Sequence, residues 1–184
     1  MIPAITPIRS WKDRVTRQAY FFDTGGLPSR EQFYPSILLA YFDGLDRVAG
    51  ENILEIGGTK EQNMGIWAVN QGNRYHCITF EPWVDVRPDD PQSKVDGGDF
   101  MWLPEHRTYS LVFAVKVFEP RGMYHTQRGD FVPPKEGYTH EQMSEQLSRL
   151  TTPGGYAVIA TATKSFLSDE ELTEVGFQIK FRET

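Results

Sequence analysis

Three acidic residues stand where an apolar run gives way to a turn, and they carry most of the chemical promise in this chain. Glu55 lies near the end of "NILEIGG", Glu81 closes "YHCITFEP", and Asp99 follows two glycines in "KVDGGDF". A carboxylate at the end of a second strand is placed to accept hydrogen bonds from both hydroxyls of a ribose, the role open to Glu81. Asp99 can accept from an adenine amino group, with Phe100 or Met101 against the ring and Trp83 or Trp102 at its flank. Gly57 and Gly58 allow a sharp turn after the first strand and a close approach of the backbone to a ligand. Taken singly, each feature has an ordinary reading: a solvated strand-end acid, a plain turn, a loop cap. Their order and separation along the chain raise the signal.

Alternating elements must position these residues. "NILEIGG" reads as a buried strand, "EQNMGIWAVNQGN" as a helix closed at Gly72–Asn73, and "YHCITFEP" as a second strand. After the polar loop "DVRPDDPQSK" comes the brief run "KVDGGDFMWLP", then "YSLVFAVKVF", the strongest strand signal in the chain. "THEQMSEQLSRLT" predicts a helix with Thr139 as N-cap; "PGG" turns into the strand "YAVIATAT"; "SDEELTEVG" and "FQIKFRE" give a last helix and strand. This alternation predicts an α/β three-layer sandwich around a mostly parallel, doubly wound sheet of six or seven strands. Ligands of such sheets sit at the carboxyl ends of the strands. The chain of 184 residues suits one domain, with residues 1–50 as a helical lead-in or lid and 51–184 as the α/β core. Within the lead-in, a short helix is expected around Trp11–Tyr20 and a longer one from Arg30 towards Gly50.

Composition narrows the function classes. A net charge of −6 argues against a surface devoted to nucleic acid. The N-terminal stretch "MIPAITPIRSWKDR" has no continuous apolar core, so neither a signal peptide nor a membrane span is expected, and the default setting is cytoplasmic. The single cysteine, Cys77, lies in an apolar run and reads as a small buried hydrophobe. The four histidines, His76, His106, His125 and His140, are too scattered to build a zinc cluster with it, so no metal is expected. No P-loop motif occurs, and "GGTKEQ" lacks the second and third glycines of a nicotinamide-binding turn.

The run from about Asn52 to Thr163 resembles the class I S-adenosylmethionine-dependent methyltransferases. "LEIGGT" is similar to the acid and glycine-rich turn of that family's first strand, "ITFEPW" to the segment bearing the ribose-binding acid, and "GDF" to the segment that contacts adenine. "EQLSRLTTPGGYAVIATAT" is similar to the helix, turn and fifth strand that follow. The resemblance implies a Rossmann-like methyltransferase fold, S-adenosylmethionine as cofactor and a small-molecule acceptor. It implies cofactor contacts at Glu55, Gly57, Gly58, Thr59, Glu81, Asp99 and Phe100. Thr59 and Glu61 stand where the family often has glycines. One strand follows the last helix where the family commonly has two, which leaves the seventh position to the N-terminal segment or a neighbour. Two other readings stand beside transfer: a methyltransferase-like module without catalysis, and another reaction in the same pocket. Homo-oligomerisation is left open.

Methyl transfer from a sulfonium is an in-line displacement, so positioning and desolvation carry much of the rate. A general base is needed only where the acceptor must lose a proton. The long connection "EPRGMYHTQRGDFVPPKEGYTH" holds Tyr124, His125, Asp130, Tyr138 and His140. His125 is the candidate base because imidazole titrates near neutrality. His140 is expected instead to belong to the start of the helix after Thr139.

Overall fold

A computed structural model describes residues 16–23, 50–58, 63–79, 92–115, 117–118, 138–161 and 165–182. Seven strands form one sheet: β1 (Arg17–Asp23), β2 (Asn52–Ile56), β3 (Arg74–Thr79), β4 (Ser93–Gly97), β5 (Tyr109–Val115), β6 (Thr151–Thr161) and β7 (Phe177–Arg182). Their order is β4-β3-β2-β5-β6-β1-β7, and every described pairing is parallel. Among the described residues three helices accompany them: α1 (Asn63–Asn70), α2 (His140–Leu150) and α3 (Asp169–Glu174). The chain runs outward from β2 to β3 and β4, then returns to place β5 on the other side of β2. The switch in strand order therefore lies between β2 and β5.

The central strands are near-continuous apolar runs because both of their faces are covered. In β2, Ile53, Leu54, Glu55 and Ile56 are all buried. Register assigns the faces: Leu54 pairs with Val112 and Ile56 with Ala114, and these continue across the sheet to Ala157 and Ile159. That face packs on Met143, Leu147 and Leu150 of α2 and Leu172 of α3 in one cluster. The opposite face carries Ile53, Tyr75 and Cys77 and takes α1, whose Gly65 lies against the Tyr75 ring. A Cβ on Gly65 would come within 2.7 Å of that ring. A mid-helix glycine costs about 1 kcal/mol relative to alanine, and here it makes room for an aromatic side chain between helix and sheet. β4, at one edge, is polar and only half-buried, as befits a strand with one neighbour.

Helix ends follow sequence chemistry closely. Thr139 and Ser168 each close a reciprocal capping box, with Gln142 and Glu171 respectively. Gly72 ends the turn after α1 at φ 77°, and its neighbour Asn73 is buried, its side-chain carbonyl accepting from Glu51 N at 3.1 Å.

Two expectations change. Residues Arg17–Tyr20, expected as the tail of a short helix, belong to strand β1. This strand lies between β6 and β7, so residues 17–23 supply the seventh strand, inside the sheet; the rest of the expected lead-in or lid lies outside the described residues. A seven-residue segment with apolar residues on both faces is more stable buried between two strands than helical on a surface. Secondly, "PGG" lies within β6, which starts directly after α2 at Thr151. The extra residues are absorbed by a register shift between Tyr109 and Leu111, with Gly154 at φ 77°.

Candidate functional site

Asp99 is the expected site residue that the structure equips most clearly. It follows β4 after Gly98, whose φ of 142° is open in practice only to glycine, and Gly98 N donates to the Thr79 carbonyl at 2.8 Å. The chain then makes a single 3₁₀ turn, Phe100–Trp102, with Asp99 as its N-cap. One carboxylate oxygen, Oδ1, accepts from Met101 N at 3.0 Å. The other, Oδ2, is buried and has no hydrogen-bond partner among the described residues. Asp99 is 1% exposed, and burial raises its pKa. An unpartnered buried carboxylate oxygen costs roughly 1–3 kcal/mol, more when charged, so its retention calls for a donor from beyond the described residues.

A cavity of about 260 Å³ adjoins it, lined by Ile78, Gly97, Gly98, Asp99, Trp102 and Leu103 among others. Ligand pockets for whole small molecules run from roughly 300 to 1,000 Å³. This one suits a single ring system. Trp102 stands at its rim, 70% exposed, with its indole N–H donating to the Tyr138 hydroxyl at 3.0 Å. The turn is held from below by α2: Gln146 Nε2 donates to the Phe100 carbonyl at 2.8 Å, and the Arg149 guanidinium donates to the carbonyls of Leu103 at 2.7 Å and Pro104 at 3.0 Å.

Phe100 is the first residue of this turn. Its side chain is fully buried in the core, edge-on to Phe118 at 5.6 Å between ring centroids, and it does not line the cavity. The turn gives the cavity to Trp102 and sends Phe100 inward, because a 3₁₀ turn directs side chains two positions apart to different sides. Met101 is partly buried against the same core.

Glu55, Gly57 and Gly58 form a different kind of site. Gly57 adopts φ 72°, and its N–H donates to the Ile78 carbonyl at 2.8 Å. Glu55 is 2% exposed on the α1 side of the sheet, where its carboxylate accepts from the Tyr75 hydroxyl. A Cβ on Gly58 would lie 2.6 Å from Cys77 Sγ and 2.9 Å from Glu55 Cδ. The space left by this glycine is occupied by the protein's own side chains, so its absence of a side chain serves packing. Glu55 does not line the cavity beside Asp99.

Thr59, Glu81 and His125 lie outside the described residues, as do Trp83, Tyr124 and Asp130. His140 is the first residue of α2, stacked on Phe166 at 5.0 Å with Nδ1 3.4 Å from Glu171 Oε1. Ring contacts then continue from Phe166 to Phe118, closing the carboxyl end of β5 with aromatic core. Among the described residues no three His, Cys, Asp or Glu side chains gather in metal-binding geometry, and no helix is long and apolar enough to cross a membrane. The sequence pattern missed the pairing of Tyr75 with Glu55 and the support of the turn by Gln146 and Arg149. Both rest on residues distant in sequence, and an acid at a strand end gives no sign of which face it will take.

No protein-family model and no curated protein sequence matches the chain. Solved structures do. The [4+2]-cyclase SpnF aligns with a TM-score of 0.52 at 13% identity, covering 95% of this chain and 74% of its own. A Galdieria sulphuraria protein assigned as a sarcosine dimethylglycine methyltransferase aligns at 0.47 and 14% identity, over 70% of this chain and 45% of its own. Coclaurine N-methyltransferase, bound to N-methylheliamine and SAH, aligns at 0.46 and 16% identity, over 84% of this chain and 44% of its own. The chain spans less than half the length of those two methyltransferases. At these identities the likeness is one of fold, and the seven-stranded parallel sheet is the Rossmann-like fold that the resemblance to S-adenosylmethionine-dependent methyltransferases implied.

Proposed function

We propose that this chain binds S-adenosylmethionine at the carboxyl edge of its sheet and transfers the methyl group to a small-molecule acceptor. The observation that carries the reading is Asp99: a buried carboxylate oxygen without a partner among the described residues, beside a cavity of about 260 Å³. The residues present fit the adenine end of the cofactor. Asp99 Oδ2 accepts from an exocyclic amino group, the Gly97–Gly98 backbone leaves the cavity open, and Trp102 offers an aromatic face at the rim. Oδ1, tied to Met101 N, fixes the carboxylate so that little ordering is needed on binding. Glu81 is assigned to the ribose hydroxyls and Thr59 to the amino-acid end. When bound, the cofactor supplies an electrophilic methyl group. The chain's part is to orient it, exclude water and, for an acceptor that must lose a proton, to take that proton at His125.

Calorimetric titration with S-adenosylhomocysteine tests this, using the wild type and the variants Asp99→Asn and Glu81→Ala. Asparagine keeps the cap to Met101 N but can present a donor where the adenine amino group also donates. Binding about tenfold weaker or worse in each variant supports the placement. No heat and no thermal shift from folded wild-type protein would sink it. SpnF, which shares the fold, is a [4+2]-cyclase, and fold alone does not set the reaction. Product analysis, methylated acceptor against another product, separates methyl transfer from a different use of the pocket.

A further inference from the structure

The connection from β4 to β5 contains one short 3₁₀ turn and no longer helix. On the α2 face of the sheet, a second cavity of about 510 Å³ lies over the amino-terminal halves of β3 and β4, at the edge opposite the carboxyl ends. Its size falls within the range of small-molecule pockets. Arg74, His76, Lys94, His106, Arg107 and Tyr109 line it, with Asn52 at the start of β2.

The floor is a closed hydrogen-bond chain. His76 and Tyr109 are 6% and 5% exposed. His76 Nε2 lies 2.9 Å from Asp96 Oδ2, and Nδ1 meets the Tyr109 hydroxyl. Burial lowers the His76 pKa, although Asp96 opposes this. A carboxylate only accepts, so Nε2 carries a proton, and in the neutral ring Nδ1 accepts from the tyrosine O–H. These groups satisfy one another, and recognition falls to the walls.

The walls are cationic. Lys94 Nζ is 2.5 Å from Asp96 Oδ2, and Arg107 is 3.8 Å from the same oxygen. Arg74 has no carboxylate partner among the described residues. Three permanent cations thus face one carboxylate, in a chain whose net charge is −6. The carboxylate of Glu51, just before β2, is engaged by Ser110 at 2.6 Å and does not line the cavity. Two guanidinium groups and an ammonium around one concavity concentrate anions and match the oxygens of phosphate or carboxylate groups.

We infer that this cavity binds a small, multiply charged oxyanion, a phosphate ester or polycarboxylate, through Arg74, Lys94 and Arg107. The site is separate from the cavity beside Asp99 and does not depend on the cofactor reading. Only Arg107 lines both, so it is the wrong residue with which to tell them apart.

The test is calorimetric titration of the full chain with inorganic pyrophosphate and, in a parallel arm, citrate, at constant ionic strength so that general screening is held fixed. Wild type is compared with Arg74→Glu and Lys94→Glu, both at exposed positions. Saturable binding of at least one anion is expected, weakened about tenfold or more in each variant. The arm that binds more tightly identifies the oxyanion class. Titration with S-adenosylhomocysteine should be the same in the variants as in wild type. Should a variant fail to fold, the His76 ring resonances of wild type decide: they shift and saturate with the anion but not with chloride of equal ionic strength. The inference is overturned if neither anion binds, if both variants bind undiminished, or if the His76 resonances do not move.

Discussion

The turns after β2 and β4 are built from similar sequence and do opposite things. Each joins a strand end to two glycines and an acid, and in each a glycine N–H caps a neighbouring strand: Gly57 N to the Ile78 carbonyl, Gly98 N to the Thr79 carbonyl. At the end of β2, the acid Glu55 is partnered by Tyr75, and the space above Gly58 is filled by Cys77 and by Glu55 itself. After β4, Asp99 keeps a buried oxygen without a partner among the described residues, and a Cβ on Gly98 would meet none of them nearer than Trp102 at 3.6 Å. The first turn is closed by its own packing. The second holds an acceptor in reserve beside a cavity. Identical motif chemistry thus becomes framework or site according to what the neighbouring strand places beneath it.

The largest test of that contrast is Gly58→Ala. The new methyl group must displace Cys77 and Glu55, both buried, so chemical unfolding should show a loss of about 2–3 kcal/mol. A loss within 0.5 kcal/mol would mean that the turn is not packed as described. Tyr75→Phe comes next: it withdraws the hydroxyl from the buried Glu55 carboxylate and should cost about 1–2 kcal/mol by the same measurement.

Asp99→Asn should act in the other direction, raising stability by about 1 kcal/mol while weakening S-adenosylhomocysteine binding. Burial raises the Asp99 pKa, so its contribution to stability is fully present below the unfolded-state pKa and is lost as pH rises through the folded-state value. Variant and wild type should therefore converge in acid, and the variant's advantage should open as pH rises. A variant less stable than wild type at pH 7 would show that Asp99 is a structural acid like Glu55.

The smallest effect is expected at His76, where the shift is downward. Its contribution is present above the unfolded-state pKa and lost as pH falls through the folded-state value. In unfolding curves taken between pH 7 and 5, His76→Gln should lose less stability than wild type. Equal slopes would place the charge change elsewhere.

Much of the fold is legible in the chain. The runs "NILEIGG" and "YSLVFAVKVF" are predominantly apolar, without the strict alternation of a half-exposed strand, as strands covered on both faces require, and Thr139 and Ser168 announce helix starts through local capping chemistry. The strand β1 is not legible in the same way: "RQAYFFD" becomes a strand by pairing with β6 and β7, more than a hundred residues later. At the site, Asp99 is visible as an acid after two glycines, but its orphaned oxygen is not. Phe100 illustrates the limit, since nothing local says that the ring turns towards Phe118 while Trp102 takes the cavity.

Sequence by itself determined the alternation of strands and helices, the caps, the glycine turns and the chemical types of the acids, because these depend on period and on interactions within a few residues. Tertiary structure alone decided which acid was paired, which glycine was packed shut, and where basic and aromatic side chains from β3, β4, the β4–β5 connection and the start of β5 met around one cavity. Those outcomes depend on the register of parallel strands, which is fixed by the burial of the whole sheet and not by any one segment.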